Sequence, residues 1–221
     1  ARGRPMARRV AGHLVPGQDG AVVDNGDWRS RRWEATHRRI YETAMRLFQE
    51  KGFERVSIGE IVAAAEVSVP TFYAHFASKE DLLFQLSRVG HEEARDALAA
   101  AAAEADSPTD ALQEVISTFA RWHAQKYQVA RIVQYEFRHL APEHQREVLT
   151  LRREIDGVVE RIITDGVASG EFSVEDTRVT ALAAMSLVVD VARWYHPGVR
   201  RTPEDIGAEY GRLVLRLVGA A

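Results

Sequence analysis

The chain has 221 residues, 46% of them hydrophobic and 28% charged, which is the composition of one or two ordinary globular domains. It has no cysteine, which excludes disulfides and thiolate metal sites, and no apolar run of the ~20 residues that a membrane span needs, so we expect a cytoplasmic protein. The net charge of −3 is unevenly spread, because residues 1–39 hold nine arginines against four acidic residues, which favours an anionic partner at the N-terminal end.

Residues 1–30 are predicted to be a flexible basic extension, because five glycines and two prolines interrupt them and no helical or strand period persists. From Arg31 onward apolar residues recur at helical spacing, and no convincing strand-like alternation follows. The chain is therefore predicted to be all-α, with a small N-terminal helical unit at residues 31–78 and a larger C-terminal helical bundle at residues 79–221.

The small unit contains two very short helices joined by a tight turn at residues 65–68. Ser57 and Glu60 form the capping-box signature that opens the first helix, and Ser68 followed by Pro70 opens the second. Apolar residues recur on one side of both helices, so the first is expected to steady the second. This is helix-turn-helix geometry, in which the second helix enters the major groove of DNA.

The second short helix carries polar side chains outside its apolar face, which is formed by Phe72 and Phe76. These side chains bring a hydroxyl, a phenol, an imidazole and, just beyond the helix, an ammonium group: Thr71, Tyr73, His75 and Lys79. Such groups bind phosphates and base edges. The alternative from another class is a helical protein-interaction adaptor without DNA binding, which explains the helices but neither this polar face nor the basic N-terminal end.

The pattern of this region resembles the TetR family of transcriptional regulators over residues 34–86. The resemblance is carried by Ile40, Ala44, Leu47-Phe48, Gly52-Phe53, Ser57, Ile61, Ala64, Val67-Ser68, Thr71-Phe72-Tyr73-Ala74-His75-Phe76, Lys79 and Leu82-Leu83. It implies a homodimeric, all-helical repressor that binds a palindromic operator and releases it when a small effector binds. The helix-turn-helix DNA-binding domain is then residues 31–78, and the ligand-binding and dimerisation domain is residues 79–221.

The resemblance also implies which side chains contact double-stranded DNA. Four lie in or just after the second short helix, and two flank the helix-turn-helix: Thr71, Tyr73, His75 and Lys79, with Ser57 and Val69. Arginines of the basic N-terminal end are expected to touch phosphates: Arg29, Arg31 and Arg32.

The C-terminal half resembles the branch of the TetR family that regulates acyl-CoA breakdown, including fatty-acid and sterol-ring catabolism. The segments concerned are Glu136-Phe137-Arg138-x-Leu140-x-Pro142-Glu143, Leu151-Arg152, Gly166-x3-Gly170-x-Phe172 and Trp194-Tyr195-x-Pro197. The resemblance implies an acyl-CoA thioester as effector, held in an aromatic-lined tunnel that ends near cations. The candidates are Phe119, Trp122, Tyr135, Phe137, Arg138, Arg152, Arg193 and Trp194. The alternative within the regulators is a drug- or metabolite-responsive repressor of an efflux operon.

Residues 175–196 are apolar on two faces, and a final helix over about 203–218 carries one apolar stripe. Two such helices from each chain would form a four-helix contact between two copies. The residues expected in this interface are Leu182, Met185, Val189, Tyr210, Leu213 and Leu217. The other interpretation is that the same stripes only close the core of one protomer.

An enzyme is not expected, because the chain lacks the residue patterns that catalysis requires. The eight histidines include no pair at the i, i+4 spacing of a helical metal site and no HExxH run, and no serine lies in a GxSxG turn. We expect neither a metal nor a cofactor.

Overall fold

The computed structural model describes residues 25–220, with side chains from Trp28 onward, so most of the predicted N-terminal extension lies outside the described residues. The described chain forms ten α-helices and one 3-10 turn and has no strand, which confirms the all-α prediction. None of these helices is long and apolar enough to cross a membrane.

The helices follow one another in a simple order. They are α1 (Asn25–Lys51), α2 (Ile58–Ala64), α3 (Val69–His75), α4 (Lys79–Ala103), α5 (Pro108–Gln125), α6 (Tyr127–Tyr135), the 3-10 turn (Phe137–His139), α7 (Pro142–Ser169), α8 (Thr177–Val189), α9 (Val191–Trp194) and α10 (Pro203–Leu217). Ser57, Ser68, Ser78 and Ser107 accept hydrogen bonds at the starts of α2, α3, α4 and α5, as N-cap residues do.

The chain divides into two compact units, residues 1–39 and residues 40–221. In the first unit α1 already begins at Asn25, six residues before the predicted helical start at Arg31. Its first turns are tied by short-range hydrogen bonds, in which Ser30 Oγ donates to Glu34 (3.2 Å) and Thr36 Oγ1 donates to the carbonyl oxygen of Arg32 (2.9 Å).

The second unit contains two hydrophobic cores. The first core joins the C-terminal half of α1 to α2, α3 and the start of α4, and residues of α6 and α7 and of the segment between them also pack into it. Its fully buried side chains include Ile40, Phe48, Ile61 and Phe72. The second core lies among α4, α5, α7, α8 and α10. The expected helix-turn-helix unit and larger helical bundle are therefore both present.

Helix α10 packs closely on α5 because glycines face the contact. A Cβ atom on Gly207 would lie 2.6 Å from the carbonyl oxygen of Ser117, and one on Gly211 would lie 2.5 Å from its Oγ. Only a residue without a side chain lets the two backbones come this near.

One segment that the sequence predicts as a continuous helix is interrupted. The helix predicted for residues 175–196 breaks at Asp190 into α8 and α9. The short helix α9 is held by Arg131, whose guanidinium donates to three carbonyl oxygens near its end: those of Ala192 (2.7 Å), Arg193 (3.0 Å) and Tyr195 (2.9 Å). This contact joins residues 61 to 64 positions apart, so local periodicity does not reveal it.

Candidate nucleic-acid interface and effector cavity

Helix α3 is held in place by caps and by two buried aromatic rings. The backbone N–H of Thr71 donates to Ser68 Oγ (3.2 Å) at its start, and the capping box of α2 is complete, with Glu60 N donating to Ser57 Oγ (3.2 Å). Phe72 is fully buried beneath the helix. The short helix therefore presents its other face in a fixed orientation.

The predicted DNA-contacting residues of this region differ in exposure. Tyr73 is 53% exposed and Val69 is 44% exposed, so both reach solvent from α3. Thr71 and His75 are half-buried, and Thr71 Oγ1 lies 2.8 Å from Ser68 Oγ. Ser57 is exposed, but its hydroxyl already takes part in the capping box.

Lys79 lies at the start of α4 and is turned toward the protein. Its Nζ donates to the carbonyl oxygens of Phe53 (2.9 Å) and Val56 (2.8 Å) and lies 4.2 Å from the centre of the Phe53 ring. Burial lowers the pKa of Lys79 from its usual value. An ammonium group has three N–H bonds, so one remains for the predicted phosphate contact.

The three arginines of the N-terminal end lie on α1 within the first unit. Arg29, Arg31 and Arg32 are all exposed, and the Arg29 guanidinium lies 5.5 Å from the centre of the Trp28 ring.

A cavity of about 340 Å³ lies in the C-terminal bundle. This is within the range of small-molecule sites in proteins, roughly 300–1,000 Å³. Five helices contribute its walls: Gly90, His91 and Ala94 of α4; Phe119, Trp122 and His123 of α5; Ala130, Val133 and Gln134 of α6; Arg152, Ile155 and Asp156 of α7; and Leu182, Met185, Ser186 and Val189 of α8, with Asp190 after it.

The cavity has a closed end and an open end. Its walls at α4 and α5 are buried, with Ala94, Phe119 and His123 only 2%, 4% and 5% exposed. On α6 and α8 the lining residues Gln134 and Leu182 are exposed, Leu182 to 61%. The exposed residues of α6 and α8 thus form the open side of the cavity, and the buried residues of α4 and α5 form its inner wall.

The two histidines of the cavity are neutral at physiological pH. His91 Nδ1 donates to the carbonyl oxygen of Ser87 (2.7 Å), and His123 Nδ1 donates to that of Phe119 (3.0 Å). Because a carbonyl oxygen only accepts, each ring carries its proton on Nδ1. Burial lowers the pKa of both rings to about 4.

Arg152 links the cavity wall to three neighbours. Its Nε donates to His91 Nε2 (3.2 Å), its Nη2 donates to the carbonyl oxygen of Val133 (3.3 Å), and its guanidinium lies 4.7 Å from the centre of the Phe137 ring. The nearby Asp156 also lines the cavity, and burial raises the pKa of its carboxyl group.

Three of the eight predicted ligand-binding residues line this cavity: Phe119, Trp122 and Arg152. The other five lie outside its lining. Tyr135 and Arg138 are exposed, Arg193 pairs with Asp190 (2.6 Å), Phe137 packs against the core of the helix-turn-helix region, and Trp194 packs against the C-terminal core.

Sequence reasoning missed His91, His123 and Asp156 as cavity residues. A signal for His123 was present, because it continues the apolar face of α5 that Ile116 and Phe119 begin. A polar residue on such a face is either paired in the core or turned toward an internal site.

The residues predicted for the dimer interface divide into two groups. Leu182, Leu213 and Leu217 are 61%, 40% and 45% exposed. Met185 and Val189 line the cavity, and Tyr210 is half-buried. The exposed leucines of α8 and α10 leave an apolar face that the described chain does not cover.

The cavity wall is connected to the helix-turn-helix through the segment that follows α6. The backbone N–H of Phe53, in the turn between α1 and α2, donates to Glu136 Oε1 (3.2 Å), and the ring of His139 lies 5.3 Å from the Phe53 ring. Phe53 is also bound by Lys79, at the start of the helix that carries His91 into the cavity.

Residues 25–220 contain no group of three or more histidine or acidic side chains that could hold a metal ion.

Comparison with known proteins identifies the family. Residues 40–86 match the model of bacterial regulatory proteins of the tetR family, and residues 105–218 match the tetracyclin repressor-like C-terminal domain. The crystal structure of a tetR-family regulatory protein from Rhodococcus RHA1 is 35% identical, over 84% of this chain and 98% of that one, with a TM-score of 0.80.

Two further relatives carry descriptions of function. The transcriptional repressor KstR2 of Rhodococcus jostii is 25% identical over 185 residues, which cover 80% of this chain and 87% of KstR2. The structure of AibR in complex with isovaleryl coenzyme A and operator DNA is 22% identical, over 84% of this chain and 100% of that one, with a TM-score of 0.74, and shows the shared fold.

TetR-family regulators bind operator DNA, dimerise and respond to small-molecule effectors, and they are transcription factors rather than enzymes. A family match over more than half of the chain, together with the helix-turn-helix and the internal cavity, settles the assignment. The chain belongs to the TetR family and is a ligand-responsive DNA-binding repressor.

Proposed function

We propose that this repressor is released from its operator by an acyl-CoA thioester whose acyl group enters the cavity between α4 and α8. In this proposal residues 31–78 bind DNA, residues 79–221 bind the effector and dimerise, and residues 1–30 are a basic extension. The observation that carries the choice of effector is the cavity itself, which is aromatic-walled, buried at one end and open at the other.

On the DNA side, the proposed contacts come from the exposed face of α3. Tyr73 and Val69 extend furthest into solvent, with Thr71 and His75 beside them. Two copies of α3 would enter successive major grooves, about 34 Å apart on a roughly palindromic site. If Lys79 and the three N-terminal arginines neutralise about eight phosphates per dimer, log K plotted against log salt has a slope of about −7, while Tyr73 contacts a phosphate without neutralising it.

On the effector side, the charges of the cavity favour a neutral acyl group. Among the lining residues the only arginine is Arg152, which is already bound to His91 and Val133, so a free fatty-acid carboxylate would find no unengaged cation there. A thioester carries no charge on its acyl end, and its phosphates stay outside the cavity. The description of AibR in complex with isovaleryl coenzyme A supports the same class of effector.

A second candidate effector is a cationic drug, which would make the chain a regulator of an efflux operon. The observation that favours it is Asp156, a carboxyl group at the wall of an aromatic cavity. The Arg152 guanidinium acts on the same carboxyl group and offsets its attraction for a cation. We therefore rank the thioester first.

Release of DNA would follow from the contacts that run between the cavity and Phe53. A ligand that pulls Arg152 away from Val133 and Phe137 loosens the segment whose Glu136 and His139 hold the α1–α2 turn. It also moves α4, which carries Lys79 at one end and cavity residues further along. A hundredfold loss of operator affinity requires that the ligand favours the released conformation by about 2.7 kcal/mol.

The test is a titration of the operator-bound repressor, with DNA selected from a random duplex library and binding followed by fluorescence anisotropy. The probes are long-chain and ring-bearing CoA esters, the matching free acids, CoA alone and a cationic amphiphile. We expect release by thioesters only. Release by the cationic amphiphile, with no response to any thioester, would assign the chain to the efflux class.

A further inference from the structure

His123 presents an unused hydrogen-bond acceptor at the closed end of the cavity. Its Nδ1 donates to the carbonyl oxygen of Phe119, so the Nε2 lone pair of the neutral ring is available. No residue in the described part of the chain donates a hydrogen bond to this nitrogen. The side chain is 5% exposed and lines the cavity, so a ligand that fills the cavity displaces water there and must supply the donor itself.

Protonation does not remove the need for a donor. Burial and the neighbouring His91 lower the pKa of His123 to about 4, so the ring stays neutral at physiological pH. The ring is also fixed in place, because Phe119 lies edge-on at 4.3 Å between centres and Trp122 at 5.1 Å. The lone pair on Nε2 therefore points in one fixed direction.

By contrast, the matching nitrogen of the other cavity histidine is occupied. His91 Nε2 accepts from Arg152 Nε at 3.2 Å, so His91 has no lone pair left for a ligand. The two histidines share burial and tautomer but differ in this one respect, which singles out His123.

The depth of His123 identifies the part of an effector that reaches it. The mouth of the cavity is formed by exposed residues such as Gln134 and Leu182, and the wall at His123 is the buried end. A thioester therefore presents the far end of its acyl group to Nε2, while its phosphates remain in solvent. A plain hydrocarbon chain has no donor to offer there.

We infer that the effector's acyl group carries a hydroxyl group remote from the thioester, and that this hydroxyl donates to His123 Nε2. This inference rests on the proposed acyl-CoA effector and narrows it to oxygenated acyl groups. A buried acceptor that is left unpaired by the wrong ligand lowers affinity by about tenfold or more.

The test compares three thioesters of one chain length: octanoyl-CoA, ω-hydroxyoctanoyl-CoA and ω-methoxyoctanoyl-CoA. The methoxy compound keeps the oxygen but lacks the proton, so it separates donation from simple polarity. Calorimetric titration of the full-length protein is expected to show the hydroxy compound binding about tenfold more tightly than both others. Equal affinities for the three compounds would overturn the inference.

Three variants assign the effect to His123. In His123→Phe the preference for the hydroxy compound is expected to vanish, and in His123→Gln, which restores an acceptor, part of it is expected to return. Ile155→Leu changes the shape of the cavity wall at an apolar residue of α7 that carries no acceptor, and should keep the preference. A preference that survives in His123→Phe would show that another group binds the hydroxyl.

Two further results distinguish this inference from the proposed function. If His123→Phe weakens octanoyl-CoA as much as the hydroxy compound, His123 does not recognise a hydroxyl group, and the inference is wrong although the effector class stands. If no thioester binds, octan-1-ol and its methyl ether are compared in the same variants. If the protein prefers the alcohol and this preference depends on His123, the hydroxyl site is supported and the CoA ester is ruled out as effector. If there is no preference, both the hydroxyl site and the CoA ester are ruled out.

Discussion

The α2–α3 region and the cavity are built in opposite ways. In the α2–α3 region the interior is solid, with Ile61 and Phe72 fully buried, and the side chains proposed to act point outward. In the cavity the acting side chains point inward, and five helices together form the walls. The outer site depends on one short helix held in one orientation, whereas the inner site depends on how distant parts of the chain pack.

The largest expected effect on stability comes from a substitution on the buried face of α3, and a substitution on its exposed face serves for comparison. Phe72→Ala should lower the free energy of unfolding by about 3–5 kcal/mol, because it removes a fully buried ring from beneath the helix. Chemical denaturation measures this. The matched control is Tyr73→Ala, which should leave stability almost unchanged and weaken DNA binding at every salt concentration, because a neutral phenol contacts phosphate without neutralising it. Equal destabilisation by the two substitutions would contradict the assignment of faces.

In the C-terminal bundle the corresponding test adds a methyl group to a glycine of α10 that faces α5. Gly207→Ala should destabilise the fold by about 1–3 kcal/mol, because the new Cβ would lie 2.6 Å from the Ser117 carbonyl oxygen. Gly157→Ala, in α7, is the control: the nearest atom is the end of a flexible arginine at 3.4 Å, and alanine favours a helix. Denaturation curves in which both variants behave alike would show that α10 does not depend on this close contact.

The neutral histidines of the cavity predict a loss of stability in acid. Burial lowers the pKa of His123 from 6.5 to about 4. Below pH 6.5 the imidazole is therefore protonated in the unfolded chain, but in the folded chain it stays neutral until the pH reaches about 4. Stability is therefore full above pH 6.5 and falls as the pH is lowered through this window. In His123→Phe the fall should be shallower by about 1 kcal/mol per pH unit. Thermal unfolding at several pH values between 4 and 6.5 measures this. If the stability of the variant and of the wild type decreased equally over this range, a neutral buried His123 would be contradicted.

The hydrogen bond between Glu136 and the Phe53 N–H connects the two regions, and its loss is expected to have a smaller effect on stability. Glu136→Ala should cost about 1 kcal/mol of stability, because the Phe53 N–H loses its acceptor in a half-buried position. It should also reduce the change in DNA affinity that an effector produces. Glu147→Ala removes an exposed carboxylate from α7 and serves as the control. If both variants respond to the effector like the wild type, Glu136 has no part in transmission.

The sequence was sufficient for the caps and the core of the α2–α3 region and only partly sufficient for the cavity. Caps and apolar spacing are local, so Ser57, Ser68 and the burial of Phe72 were predictable from neighbouring residues. The break at Asp190 was missed because α9 is held by Arg131, far away in the chain. The free lone pair of His123 depends on which of its two nitrogens meets a carbonyl oxygen, and no periodicity contains that information.

We propose that the cavity and the exposed face of α3 are coupled through Arg152 and the segment between α6 and α7. The direct measurement is the affinity of an acyl-CoA ester for the free and for the operator-bound repressor, in the wild type and in Arg152→Gln. We expect the wild type to bind the ester at least about tenfold more weakly when DNA is bound, because coupling is reciprocal, and we expect this ratio to fall toward one in the variant. Equal affinities for the free and DNA-bound wild type would contradict the claim.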